Sequence, residues 1–179
     1  MAQASNIVAR ADSAPVSSAA GGAGRQCLAF TLNGEVLAID ILQIREIIEF
    51  GTLTEVPMMP PTVRGVINLR GAVVPVIDLS ARFGRAGTKV ARRTCIVIVE
   101  LRGDDGSTQT IGVMVDAVNE VLEIGAADIE PAPTFGTKLR TEFIAGMGRV
   151  DGRFVIILDV VRVFAVDEIA AFTALADVA

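Results

Sequence analysis

Histidine, tryptophan and tyrosine are all missing from this chain of 179 residues. Without imidazole there is no usual general base, no usual zinc ligand and no serine or cysteine triad. Lysine is almost absent as well. Lys89 and Lys138 each stand beside a Gly-Thr pair in loop-like sequence, with no apolar setting to depress an amine pKa. Carboxylates remain as catalytic candidates, and Asp78 and Asp159 fall at matching places in two similar runs. That placement predicts twin helix caps set apart from one another rather than a reactive pair. The expectation is a protein that is not an enzyme, with no catalytic residue, no metal and no cofactor.

Other shortages narrow the class further. The net charge is −5 and aromatic residues make up 4%, so neither a basic footprint nor a stacking platform for bases is evident. No nucleic acid partner is expected, and the cluster Arg82, Arg85, Lys89, Arg92 and Arg93 reads as a solvated loop. Two cysteines, Cys27 and Cys95, make no disulfide framework and read as buried packing in a reducing cytoplasm. Glycine, proline or charge interrupts every apolar run before the roughly 20 residues a membrane helix needs, so no direct membrane insertion is expected. Residues 1–25, rich in Ala, Ser and Gly, have no signal-peptide core and read as a disordered tail. A cytoplasmic protein is expected, and 51% hydrophobic residues suffice for a real core.

What the chain does have is one apolar phrase written twice. Gly65-Val66-Ile67-Asn68-Leu69-Arg70-Gly71-Ala72-Val73-Val74-Pro75-Val76-Ile77-Asp78-Leu79 returns as Gly146-Met147-Gly148-Arg149-Val150-Asp151-Gly152-Arg153-Phe154-Val155-Ile156-Ile157-Leu158-Asp159-Val160. The spacing is long for a solenoid and suits a duplicated small domain. A weaker echo relates Leu37–Ile48 to Ile111–Leu122.

Short β-branched runs alternate with turn signals from Gln26 onward, the pattern of small all-β barrels or sandwiches. Asn33-Gly34 joins a first hairpin, Arg70-Gly71 and Asp151-Gly152 join two equivalent ones, and a polar turn joins Thr94–Leu101 to Thr108–Val115. Residues 41–50 read as a short turn and a strand. Pro75 cannot donate to a ladder, so its strand is expected on an edge or with its N–H side free. Asp78 should cap one helical turn that stops at Gly84. Residues 125–141 read as a long connection, and Val160, Val163, Phe164, Ile169, Phe172 and Leu175 as an amphipathic helix ending the chain.

Arg70 stands out among the candidate functional residues. A guanidinium at the tip of an apolar hairpin is either an interface hot spot or a turn arginine held by a carboxylate such as Glu46. Glu46 and Glu120 recur in the two copies, as register for an edge or as binding determinants. Gly65 and Gly146 read as bulge or close-packing positions, and Met58-Met59-Pro60-Pro61 as a connector on a barrel.

The phrase Gly65–Gly71, followed by Val74–Leu79 and Arg82-Phe83, resembles the signature of the CheW family of chemotaxis coupling proteins. Ile129-Glu130-Pro131-Ala132-Pro133, Phe135-Gly136-Thr137, Thr141-Glu142-Phe143-Ile144 and Gly146-Met147-Gly148 resemble it too, so the likeness spans about 26–167. It implies a mostly β fold of two five-stranded Src-homology-3-like barrels about a pseudo-twofold axis, with short helices and a C-terminal helix. The expected boundaries are a tail over 1–25, a CheW-like domain of two intertwined lobes over 26–168 and a helical extension over 169–179. The implied function is a non-catalytic adaptor, recruited to membrane receptor arrays, that joins the chemoreceptor signalling tip to the regulatory domain of the histidine kinase CheA. By motif matching, Ile44, Glu46, Gly65, Arg70, Gly112 and Val121 fall where the family's receptor and kinase contacts lie. The alternative expectation is a small-ligand sensor holding a metabolite between the lobes.

Overall fold

The computed structural model describes residues 24–103, 105–132 and 139–164. Strands β1 (Arg25–Leu32) and β2 (Glu35–Asp40) form the first hairpin, with Asn33 and Gly34 at φ 51° and 79°. A 3-10 turn, Ile41–Gln43, leads into β3 (Ile44–Glu49). The second hairpin pairs β4 (Val63–Leu69) with β5 (Ala72–Asp78), and Asp78 caps the single turn α1 (Leu79–Arg82). The chain continues through β6 (Cys95–Arg102), β7 (Thr108–Val115) and β8 (Ala117–Ile124). A two-residue strand β9 (Ile129–Glu130) precedes β10 (Ile144–Val150), β11 (Arg153–Leu158) and α2 (Val160–Phe164). The last hairpin turns at Asp151-Gly152 with φ 51° and 78°.

Two sheets form two lobes. The strand order is β8-β1-β2-β11-β10-β9 in one and β3-β6-β7-β5-β4 in the other, so the first lobe carries five full strands plus the short β9. The lobes repeat one another in detail. Bulges interrupt β4–β5 between Val63 and Gly65 and β10–β11 between Ile144 and Gly146. Parallel pairing joins Val76 to Gly112 in one lobe and Ile157 to Ala38 in the other. The repeated sequence and the lobe are nevertheless out of phase. The first copy gives β1 and β2 to one sheet and β3, β4 and β5 to the other; the second gives β6 and β7 to the five-stranded sheet and returns with β8, β10 and β11.

Burial on both faces explains the continuous apolar runs that sequence periodicity alone leaves ambiguous. In β6, Ile96 and Ile98 pack with Val76 and Met114 inside the five-stranded lobe, while Val97 and Val99 face the main core. In the other lobe Cys27 and Ala38 join Ile124, Val155 and Ile157, while Leu28, Phe30, Leu37 and Ile39 turn to the same main core. The largest cluster therefore draws on both sheets and fills the space between them. That packing takes the seat expected for a metabolite.

Several expectations need correction. Strand β5 is internal, between β7 and β4, so of the two placements expected for Pro75 the edge is not found and the free N–H side is. Its proline fits because Val66, its register partner, exchanges both backbone hydrogen bonds with Thr54 instead, and the parallel ladder to β7 begins at Val76. In the other lobe Ile156, with an N–H to give, extends the ladder to Leu37. Cys95 is only half-buried, whereas burial, followed by the charge of Asp40, pushes the Cys27 thiol up to about 11. The basic loop is not freely solvated throughout: Arg82 donates to the Val163 carbonyl at 2.8 Å, and Arg85 pairs with Glu35 at 3.1 Å. Lys89, Arg92 and Arg93 do face solvent. Met59 packs against the main core but Met58 is fully exposed at φ 63°. Arg25 already belongs to β1; the tail before residue 24 and the extension over 169–179, with Ile169, Phe172 and Leu175, lie outside the described residues.

Candidate adaptor surface

The turn between β4 and β5 places a non-glycine residue, Arg70, at φ 51°, followed by Gly71 at 88°. The Asn68 side chain accepts from the Gly71 N–H at 2.9 Å and so secures the turn. From this tip the guanidinium reaches back to β3 and meets Glu46 with both terminal nitrogens, at 2.5 and 3.1 Å. Its side chain is still 73% exposed. Glu46 reaches the tip because β3 is bulged: Ile44 opposes Val99 and Glu46 opposes Ile98, with Arg45 as the extra residue. The hydrogen bond from Arg70, aided by its charge, holds the Glu46 carboxyl below the usual carboxylate range, and Glu46 in turn raises the guanidinium.

The six residues matched by motif do not form one patch. Glu46 and Arg70 touch, and Ile44 starts the same strand as Glu46 with its side chain half-buried against the main core. Gly65 lies at the base of β4, buried, at φ 153°; a Cβ there would sit 2.5 Å from the Thr54 carbonyl oxygen. Gly112 is buried in β7, where a Cβ would meet Ile96 at 2.8 Å. Neither glycine presents a side chain to a partner. Val121 belongs to the other lobe, in β8, and is 52% exposed.

Sequence reading missed the outward-facing apolar residues Ile47 on β3 and Val73 on β5. Strict alternation along β3 puts Ile47 on the exposed face with Arg45 and Glu49, so the signal was present once the segment was taken as a strand. The twin caps are present but unequal. Asp78 is fully buried and accepts from Thr88 N, Thr88 Oγ1 and Arg64, whereas Asp159 caps α2 through the Arg162 N–H at 3.1 Å.

The two small lobes agree with the comparisons to known proteins. The family model described as CheW-like domain matches residues 26–168. The chain belongs to the CheW-like family. A chemotaxis protein CheW of Klebsiella aerogenes is 35% identical over 147 residues, covering 82% of this chain and 86% of that protein. The CheW of Rhizobium meliloti is 32% identical over 145 residues, covering 81% and 90%. The crystal structure of the scaffolding protein TtCheW from Thermoanaerobacter tengcongensis superposes with a TM-score of 0.73 at 34% identity, covering 82% of this chain and 96% of that one. Two Src-homology-3-like lobes of a CheW scaffold are thus the fold of this chain. Among the described residues no helix is long and apolar enough to cross a membrane, and no group of acidic, cysteine or histidine side chains is arranged to hold a metal.

Proposed function

We propose that this CheW-like chain is a non-catalytic cytoplasmic adaptor, recruited to membrane receptor arrays, that couples the chemoreceptor signalling tip to the regulatory domain of the histidine kinase CheA. The observation that carries this reading is the Arg70–Glu46 tip, an exposed charge pair fixed by a tight turn and a bulge on a lobe with outward-facing Ile47 and Val73. Arginine is one of the residues enriched in interface hot spots. Family membership supports the same reading.

Within it, Arg70, Glu46, Ile44 and Val121 act as contacts or their immediate supports, and Gly65 and Gly112 act through the backbone they allow. The adaptor does its work by placement, holding two partners on rigid lobes, and no bond is made or broken. Filled space between the lobes argues against the metabolite-sensor alternative.

Direct binding of the full chain to a CheA regulatory domain and to a receptor-tip fragment tests the proposal. Arg70→Ala is expected to weaken at least one partner by about tenfold or more while lowering the circular-dichroism melt by only a few degrees and leaving it cooperative. Loss of cooperative melting would make Arg70 structural, and absence of binding by the unsubstituted protein to both partners would overturn the adaptor reading.

A further inference from the structure

The two lobes present the same hairpin tip beside the same bulged strand, but their charges differ. At the five-stranded lobe Arg70 meets Glu46. At the other lobe the tip residue is Asp151, also at φ 51°, and the bulged strand offers Glu120, which opposes Ala29 just before the register shifts past Asn119. Two carboxylates cannot close the gap that a guanidinium spans. Asp151 and Glu120 instead stand on the rim of an open cleft of about 640 Å³. Half-buried Leu122 lines it too, with Val36, 41% exposed, and Phe154, 52% exposed. Arg153 also lies on the rim, yet no ion pair joins it to either carboxylate among the described residues.

We propose that this cleft seats a protein partner's arginine, carried on an apolar loop, which pairs from outside with Glu120 and Asp151 as Arg70 pairs from within with Glu46. The inference rests on the adaptor reading and assigns a chemistry to one end of the molecule. Three features favour that occupant. The other lobe shows that a guanidinium reaches this strand from this turn and binds its glutamate through two nitrogens. Two carboxylates against one rim arginine leave a negative charge that an incoming cation relieves. Exposed Phe154 and Val36 supply the apolar contact, and Arg149, which lies over the Phe154 ring at 5.5 Å, is paired with Glu130 at 3.3 Å and so adds no unpaired positive charge.

Asp151→Arg and Glu120→Gln test the assignment against the same two partners, the CheA regulatory domain and the receptor-tip fragment. Arginine is accommodated at φ 51° at position 70, so Asp151→Arg is expected to fold, to pair internally with Glu120 and to melt at a higher temperature. It should nevertheless bind one of the two partners about tenfold or more weakly and leave the other unchanged. Stabilisation together with lost binding is a combination that a purely structural role does not produce. Glu120→Gln should weaken the same partner without the rise in melting temperature, and it carries the test alone if Asp151→Arg does not fold. Both partners binding the variants as they bind the unsubstituted protein overturns the inference and leaves the adaptor reading intact.

If the unsubstituted protein binds neither partner, the adaptor reading fails, and a disulfide-cyclised peptide copying Ile67–Val74 with its arginine free serves as the probe. A shift of the Phe154 ring resonances that Glu120→Gln abolishes supports the inference. No shift, or one that survives the substitution, overturns it.

Discussion

At the scale of single residues, the Arg70–Glu46 pair makes its own pH prediction. Glu46 titrates below its ordinary value of 4.5 because Arg70 hydrogen-bonds the charged form. A carboxyl lowered in the folded state adds stability that is present in full above its unfolded pKa and is lost as the pH falls through the folded value. A carbon-detected NMR titration is therefore expected to show Glu46 titrating below its ordinary value, and Arg70→Ala should raise it. An unchanged Glu46 titration in the variant would mean that the ion pair does not form in solution. The sequence made Arg70 visible as a charge in an apolar turn, and it named Glu46 as one candidate partner. It gave no sign of Asn68 as the turn's anchor or of the β3 bulge, since a bulge depends on the opposing strand and leaves no local spacing of its own.

Among the elements, hairpins were the most legible. Asn33-Gly34, Arg70-Gly71 and Asp151-Gly152 each mark a turn that needs positive φ, and all three hold it. Strand placement within a sheet was less so, as Pro75 shows: a proline removes one N–H, but only the neighbouring strands decide whether that N–H was needed. The two buried glycines separate by the atoms they face. At Gly65 an added Cβ meets backbone, the Thr54 carbonyl oxygen, at a φ that side chains avoid. At Gly112 it meets side-chain methyls instead, Cγ2 of buried Ile96 at 2.8 Å and Cγ2 of Val76 at 3.3 Å, which give only by a small shift of packing and not of backbone hydrogen bonding. Gly65→Ala is expected to cost roughly 2–4 kcal/mol, and Gly112→Ala about 1–2 kcal/mol. Urea unfolding of the two variants checks the order, and equal costs would show that the 54–66 contact gives way easily.

For the molecule as a whole, the duplication was plain in the sequence but its assembly was not. Two copies of a phrase say nothing about which copy's strands pair, and here each copy is divided between lobes. A cut within residues 84–94 should therefore leave two fragments, neither able to complete a sheet. Each is expected to be unfolded alone, and an equimolar mixture to recover the β-sheet circular dichroism of the intact chain. A fragment that melts cooperatively by itself would contradict this dependence. The main core spanning both sheets also predicts one unfolding transition, with Phe30→Ala, a fully buried site, lowering it by about 3–5 kcal/mol without splitting it.

The nesting of one lobe within the other sets an order on the growing chain. Strands β3 to β7 are contiguous, so the five-stranded sheet has all its members once Val115 has left the ribosome. The β1–β2 hairpin must wait for its neighbours β8 and β11, both of which follow the completed five-stranded sheet in the chain. Throughout that interval Leu28, Phe30, Leu37 and Ile39 have no finished sheet to enter, and a nascent chain stalled before β11 offers them to chaperones or to other nascent chains.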